Sequence, residues 1–403
     1  MADVDLYINN RVAGRVAQTA DKYLFSYHQD AVEALSLTMP LRIESYSSPV
    51  LHPIFQMNLP EGVLRQAIER ATAKRYGSDD LTMLAILGSN QIGRLAYTLA
   101  GQQLPEPKDE LPDLKSLLRS NDASLFEQLL NRFATRSGVA GVQPKVLLGM
   151  TEDNVTGIQS QVSLPLQSYI VKSWGSEYPE LGCNEYVCLT FARYAGLQLP
   201  EYYLSDNAKL LISKRFDLDK NGVSLGFEDF CVLQGKGTKE KYDASLESCA
   251  NTIRQYVSPM CQPQALYDFF KTTLVNVFVR NGDAHLKNSG VIYRNLEKYS
   301  LGEIPETERK LAPVFDIVST VPYIRNDTMA LSLTGSKRWP KWKVLQKFAK
   351  QHCALKNSMI DQAVDEVHVA RDRVLPLLSE LAEKHTGFAA VSEVIASNMQ
   401  RPF

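Results

Sequence analysis

Asn281-Gly282-Asp283-Ala284-His285-Leu286-Lys287-Asn288 decides the reading of this chain. It follows Phe269-Phe-Lys-Thr-Thr-Leu-Val-Asn-Val-Phe-Val279, an apolar run that predicts a buried helix leading into a loop. Asp283 and Asn288 stand five positions apart, so one short loop offers a carboxylate and an amide oxygen to the same space. That pair suits chemistry needing a base beside an attacking hydroxyl and an oxygen ligand on a hard cation. Asp and Asn are also ordinary turn residues, so the spacing gains meaning only from its companions.

Four companions stand elsewhere in the chain. Leu311-Ala-Pro-Val-Phe-Asp316-Ile317-Val-Ser-Thr320 sets one carboxylate in apolar surroundings, on a short buried strand or turn. An unpaired buried carboxylate is costly, so Asp316 should have a cation or strong donors beside it, unless it merely caps a turn. Gln167-Ser-Tyr-Ile-Val-Lys172-Ser173 reads as a strand ending in a Lys, a residue type that grips phosphates when a helix Glu fixes it. Glu185 lies on a helix whose Val187, Phe191 and Ala195 face inward, and it is a candidate partner for Lys172, with Glu177 and Glu180 as competitors. Ser137-Gly-Val-Ala140-Gly141-Val142-Gln143-Pro144-Lys145-Val146 has the glycines of a loop whose amides face phosphate, or of a hairpin turn. It matches neither a Walker loop nor a dinucleotide fingerprint. Glycine loop, strand Lys, helix Glu, Asp-x-x-x-x-Asn and a second acidic site follow the order of parts along a kinase-type chain, which points to phosphoryl transfer from ATP.

With these segments the chain resembles the HipA family of bacterial toxin-type serine/threonine kinases. The resemblance rests on Gly141-Val-Gln-Pro-Lys145, Tyr169-Ile-Val-Lys172, Asn184-Glu-Tyr186, Lys214-Arg-Phe-Asp217, Glu228-Asp-Phe-Cys231, Asn281 to Asn288 and Phe315-Asp316. Asp5-Leu-Tyr-Ile-Asn-Asn-Arg-Val-Ala-Gly14 and Phe55-Gln-Met-Asn-Leu-Pro-Glu-Gly62 extend it over most of the chain. It implies an α+β, two-lobed protein-kinase-like fold, with a mixed α/β N-terminal lobe and an all-helical C-terminal lobe. The implied units are 1–100, 101–232 with the phosphate loop and strand Lys, and 233–403 with the catalytic loop. Carried over, the resemblance makes Asp283 the catalytic base, with Asn288 and Asp316 holding Mg²⁺. Lys172 would grip the phosphates of ATP beneath a loop containing Val142, Gln143 and Lys145. Lys214, Arg215 and Phe216 would form the hinge beside adenine, with Asp217 near the ribose. His285 and Lys287 would approach the nucleotide, although a hydrogen-bonded loop histidine is an equal reading of His285. The implied activity is ATP- and Mg²⁺-dependent phosphorylation of a cytoplasmic protein, such as an aminoacyl-tRNA synthetase or a translation factor. The implied partner is a HipB-like DNA-binding antitoxin, through which DNA contact would be indirect. The alternatives are a catalytically silent nucleotide-binding co-repressor and a small-molecule kinase.

Two positions depart from the family pattern. Many relatives carry a Ser just before the Gly of the phosphate loop, and its phosphorylation silences the kinase. Here that position is Ala140, and the nearest hydroxyl is Ser137. Val232 stands where relatives often have Gln.

Composition bounds the remaining possibilities. The 403 residues suffice for two or three core-forming units. Forty-four basic and 45 acidic residues give a net charge of −1, against a chain that coats nucleic acid. Lys337-Arg338-Trp339-Pro-Lys341-Trp342-Lys343 pairs cations with tryptophans, and reads as a helix start docking its rings on the core rather than a stacking platform. Six cysteines lack metal-type pairing, which fits buried thiols in a reducing cytoplasm. No apolar run reaches about 18 residues, so no membrane association is expected. The opening Met1-Ala-Asp-Val-Asp-Leu6 lacks the regions of a signal peptide.

Asn9-Asn10 predicts an opening hairpin, and Pro60 onward a helix with Pro in its first turn. Residues 101–113, with three prolines, read as a linker before a helix from Leu114 to Phe133. Strands are expected over 142–230 and helices after 245. Ile360, Val364, Val367, Val374, Leu378 and Leu381 form one face of a closing helix, interrupted near Pro376.

Overall fold

The structure, a computed structural model, describes residues 3–62, 65–66, 68–69, 79–88, 91–104, 114–119, 162–165, 168–175, 177–297 and 299–403. The chain opens on β1 (Val4–Ile8), buried throughout, and β2 (Arg11–Gln18). Asn9 and Asn10 adopt φ of 48° and 67°, the left-handed pair that a two-residue hairpin needs. β3 (Tyr23–Tyr27) and β4 (Tyr46–Ser48) extend the sheet on one side, and β5 (Leu95–Leu99) closes the other, in the order β4-β3-β2-β1-β5. Helices α1 (Pro53–Gln56) and α2 (Asp80–Leu87) follow β4 in sequence, and α2 lies on β5 and β1. Residues 62, 65, 66, 68 and 69 are helical, as the Pro60 stretch predicts.

Helix α3 (Leu114–Arg119) is the described part of the helix expected from Leu114. A four-stranded antiparallel sheet follows, with strands β6 (Val162–Pro165), β7 (Tyr169–Ser173), β8 (Tyr202–Leu204) and β9 (Leu211–Lys214) ordered β6-β7-β9-β8. Between β7 and β8 runs α4 (Leu181–Tyr194). Val171, Leu210 and Ile212 of this sheet region pack into one core with Leu6, Phe25, Ile54, Phe55 and Tyr97 of the first. The segments expected as 1–100 and 101–232 therefore share apolar packing.

The remaining chain forms a second core, built by α4 with α6 (Leu246–Tyr256), α7 (Gln262–Val279), α8 (Trp342–Gln351), α9 (Asn357–Lys384) and α10 (Ala389–Gln400). The short α5 (Phe230–Leu233) lies between α4 and α6 in the chain, capped by the Asp229 carboxylate on the Val232 amide. Helix α7 is buried on nearly every side, as its apolar run predicts, so the loop after it starts from a rigid post.

Two expectations need correction. The carboxy-terminal part is not all-helical, because β11 (Gly290–Tyr293) and β12 (Arg309–Leu311) join β10 (Gly226–Asp229) in an antiparallel sheet, β10-β11-β12. The β-branched Val291-Ile292 pair favours that strand, which leaves the Asp283 loop directly. Helix α9 also continues through Pro376 without interruption. Pro376 faces solvent, so the carbonyl that loses its intrahelical partner can be hydrated. The tryptophans behave as expected: both rings pack against the second core, and Trp339 donates its indole N–H to the Asp327 carbonyl at 2.9 Å. Among the described residues no helix is long and apolar enough to cross a membrane.

Candidate active site

Lys172 lies on β7, between β6 and β9, with its backbone opposite Leu211. Its ammonium donates to Glu185 Oε1 of α4 at 2.6 Å and also to Asp316 Oδ1. Glu185 is the partner among the three candidates; Glu180 lies 4.0 Å from Lys209 instead. Burial alone would favour neutral Lys172, but the two carboxylates outweigh it and raise its pKa. For Asp316 burial again acts first, yet Lys172 holds the carboxyl below its usual range. The cation that Asp316 requires is therefore the strand lysine.

Asp316 sits in an irregular segment at φ 61°, an uncommon conformation for Asp that surrounding contacts must fix. Asn184, one residue before Glu185, supplies one fixing point. Its amide donates to the Ser319 carbonyl at 2.8 Å and accepts from the Ser319 amide at 2.8 Å. Thr320 then donates its hydroxyl to the Arg280 carbonyl at 3.1 Å and accepts the Gly282 amide at 2.9 Å. One helix thus fixes both the lysine and the Asp316 segment, and that segment holds the start of the Asp283 loop.

The loop is closed by its own polar groups. Arg280, at φ 54°, ends α7. Asn281 accepts the Asp283 amide at 3.1 Å, while the Asp283 carbonyl accepts from the His285 amide at 2.8 Å and from Asn288 Nδ2 at 3.0 Å. The five-residue spacing therefore forms a hydrogen-bonded turn that turns Asn288 back onto Asp283. Gly282 is required by crowding, since a Cβ there would meet the Thr328 backbone carbonyl oxygen at 2.7 Å beside the Asp327 carboxylate.

Asp283 Oδ1 accepts the Tyr242 hydroxyl at 2.6 Å. Burial raises the Asp283 pKa to about 7; the tyrosine bond opposes the rise and the Asp316 charge adds to it. A carboxyl poised there exchanges protons near neutrality, as a general base requires. His285 is buried and packs edge-on to Tyr242 with centroids 5.2 Å apart. Burial, with Lys241 nearby, lowers its pKa to about 3, so the ring is neutral, and its Nδ1 finds no partner among the described residues. The Lys287 ammonium is taken by Glu61 and by the Met57 carbonyl at 3.2 Å.

The proposed hinge is dispersed. Lys214 reaches Glu201 at 3.2 Å on the exposed side of the sheet. Arg215 and Asp217 are buried against each other, at 3.0 and 2.5 Å, and Asp217 also accepts the Gly93 amide at 2.6 Å. With 0% exposure, Asp217 in this arrangement is a structural anchor for the 91–93 segment rather than an open ribose ligand. Phe216 does reach the site: its ring stacks on Phe315, beside Asp316, at 5.1 Å and 19°. Val142, Gln143 and Lys145 lie outside the described residues, as do Ser137 and Ala140.

Sequence reasoning assigned no role to Tyr242, Lys241, Glu61, Asn184 or Thr320. Glu61 and Asn184 lie inside quoted motif segments, which was a usable signal. Thr320 ends the quoted Asp316 segment, while Tyr242 and Lys241 reach the loop only through tertiary folding, and nothing local marks them.

Residues 137–374 match the model for the HipA-like C-terminal domain, and residues 4–98 match that for the HipA N-terminal domain. The chain belongs to the HipA family. Among curated relatives it is similar to "Putative kinase Y4dM" of Sinorhizobium fredii, at 27% identity over 81% of this chain and 75% of that protein. It is also similar to "Putative kinase Y4mE" of the same organism, at 27% identity over 72% and 69%. Among solved structures it superposes on the Shewanella oneidensis MR-1 toxin–antitoxin complex of HipA, HipB and operator DNA. The TM-score is 0.69 at 16% identity, covering 99% of this chain and 97% of that one, a likeness of fold.

Proposed function

We propose that this protein is an ATP- and Mg²⁺-dependent serine/threonine protein kinase of the HipA toxin type, with its site between the two cores, read as the two lobes of a kinase. The observation that carries the reading is Lys172 joined to Glu185 and Asp316, with Asp316 tied through Thr320 to the Asp283–Asn288 turn. Phosphoryl transfer rests on positioning and charge stabilisation, and this is a fixed array of the groups it uses.

The donors suit Mg²⁺. Among the described residues no cluster of three or more His, Cys, Asp or Glu forms a cage. Asp316 supplies a carboxylate, and Asn288, whose Nδ2 is bonded to Asp283, keeps its carbonyl oxygen for the ion. Two protein oxygens completed by water and phosphate is the usual manner of holding Mg²⁺. Bound there, Mg²⁺ would neutralise charge on the phosphates.

The chain's own residues do the rest. Lys172 pairs with phosphate oxygens while Glu185 keeps it in place. Asp283 accepts the proton of the acceptor hydroxyl as its oxygen bonds to the γ-phosphorus; the bond from that phosphorus to the bridging oxygen breaks, and ADP leaves. The acceptor is a cytoplasmic protein such as an aminoacyl-tRNA synthetase. A HipB-like DNA-binding antitoxin is the partner that the Shewanella complex suggests.

The test is incubation with radiolabelled Mg-ATP and a bacterial extract, beside Asp283→Ala. A labelled protein band that falls by about 10²–10⁴ in the variant supports the reading. Equal labelling refutes Asp283 as base, and ATP binding without transfer favours a silent co-repressor.

A further inference from the structure

The catalytic loop is fastened to the amino-terminal unit at one point that the transfer chemistry does not require. Glu61 follows α1 in the Phe55–Gly62 segment, and its carboxylate meets two ammoniums: Lys241 at 2.9 Å and Lys287 of the catalytic loop. The same segment gives the Met57 carbonyl to Lys287 at 3.2 Å and accepts the Thr238 amide on Gln56 Oε1 at 3.1 Å. Lys241 in turn accepts the Leu286 amide on its carbonyl at 3.1 Å. Its neighbour Tyr242 donates to Asp283. Three separate stretches, 56–61, 238–242 and 283–288, thus converge on Glu61.

We propose that Glu61 is a positioning residue for the catalytic base: its carboxylate joins Lys241 to Lys287 and thereby holds Tyr242 and the Asp283 loop in register. The two lysine side chains are only 15% and 14% exposed, so without Glu61 two poorly hydrated like charges would face each other. The stretches then separate, which disturbs the loop. Glu61 itself stays ionised. Burial raises its pKa, but Lys287 and Lys241 more than offset that and bring it to about 2. The amino-terminal unit is then part of the catalytic machinery, although it supplies no group to the reacting atoms.

This inference rests on Asp283 being the base, and the experiment separates the two. Transfer rates and ATP affinity are measured for wild type, Glu61→Gln, Glu61→Asp, Tyr242→Phe and the double variant Glu61→Gln/Tyr242→Phe. Hydrogen exchange of peptides covering 238–243 and 281–289 is followed in the same proteins. Glu61→Gln is expected to lower kcat by about 10- to 100-fold, as a misplaced catalytic group does, with ATP affinity within about twofold. Glu61→Asp, which keeps the charge, recovers part of the loss. The double variant loses no more than the worse single one, because both act through one contact chain. The two peptides exchange faster in Glu61→Gln while α9 and α10 do not. Full kcat in Glu61→Gln, losses that multiply, or unchanged exchange would overturn the proposal. If wild type transfers no phosphate, the kinase reading fails, and the exchange comparison alone decides whether Glu61 holds the loop.

Discussion

Replacing Lys172 by Met removes the ammonium between Glu185 and Asp316 while keeping most of the side-chain volume. Two carboxylates then face each other, one of them at 2% exposure, without a cation between them. Removing one partner of a buried ion pair costs about 3–5 kcal/mol, because the charge left behind cannot be hydrated. A chain of 403 residues unfolding as one unit has an entropy of about 0.85 kcal/mol per degree, so the variant should melt about 4–6 °C lower at pH 8. The loss should depend on pH. In the wild type the Asp316 carboxyl is held below its usual value, so its contribution is present above the unfolded-state value and fades only as pH falls through the lowered one. In the variant the Lys172 charge that lowers Asp316 is gone, so the remaining carboxylates take up a proton more readily as pH falls. The gap to wild type should therefore narrow at the lower pH. Thermal unfolding of both proteins at pH 8 and 5.5, without nucleotide or divalent cation, measures this. An equal deficit at both values would show that uncompensated carboxylate charge is not the cause.

Three further outcomes follow from the same contacts. The transfer rate should rise with pH through an apparent pKa near 7, since Asp283 must be ionised to accept a proton; Tyr242→Phe deletes a bond that lowers that value, so its acid limb should move to higher pH. A pH–rate series on both proteins tests this, and an unmoved limb would detach Tyr242 from the base. Asn184→Ala leaves the Ser319 amide and carbonyl unpaired in a buried place, at about 1–3 kcal/mol each, and should lower the melting temperature by about 2–7 °C with faster exchange over 316–320. Prolonged incubation with Mg-ATP followed by mass spectrometry should find no silencing phosphate in the loop, since Ala140 has no hydroxyl; a phosphoserine at Ser137 that abolishes activity would contradict a lost switch.

What was legible in the sequence follows from how far apart the cooperating residues lie. Asp283 and Asn288 are bonded within one turn, so their spacing alone carried the geometry. Lys172 and Glu185 are thirteen positions apart, and order along the chain made Glu185 a candidate partner, but it left Glu177 and Glu180 as competitors until the fold chose. Asp316 is 144 positions from Lys172, and only the cost of burying a lone carboxylate argued that a cation must reach it. The Lys214–Asp217 stretch shows the opposite case. Residues two apart along extended chain share a face, so Arg215 and Asp217 could have been read as a pair, and a pair that closes on itself has no lone oxygen left for a nucleotide. Pro376 was read as a break because its missing N–H was weighed without knowing which way it faced. The contacts of Tyr242 had no local signature, and Glu61 was marked only by the Phe55–Gly62 segment in which it lies. Their contacts join stretches 41 and 180 positions apart, and it is there that the amino-terminal unit meets the loop that carries the base.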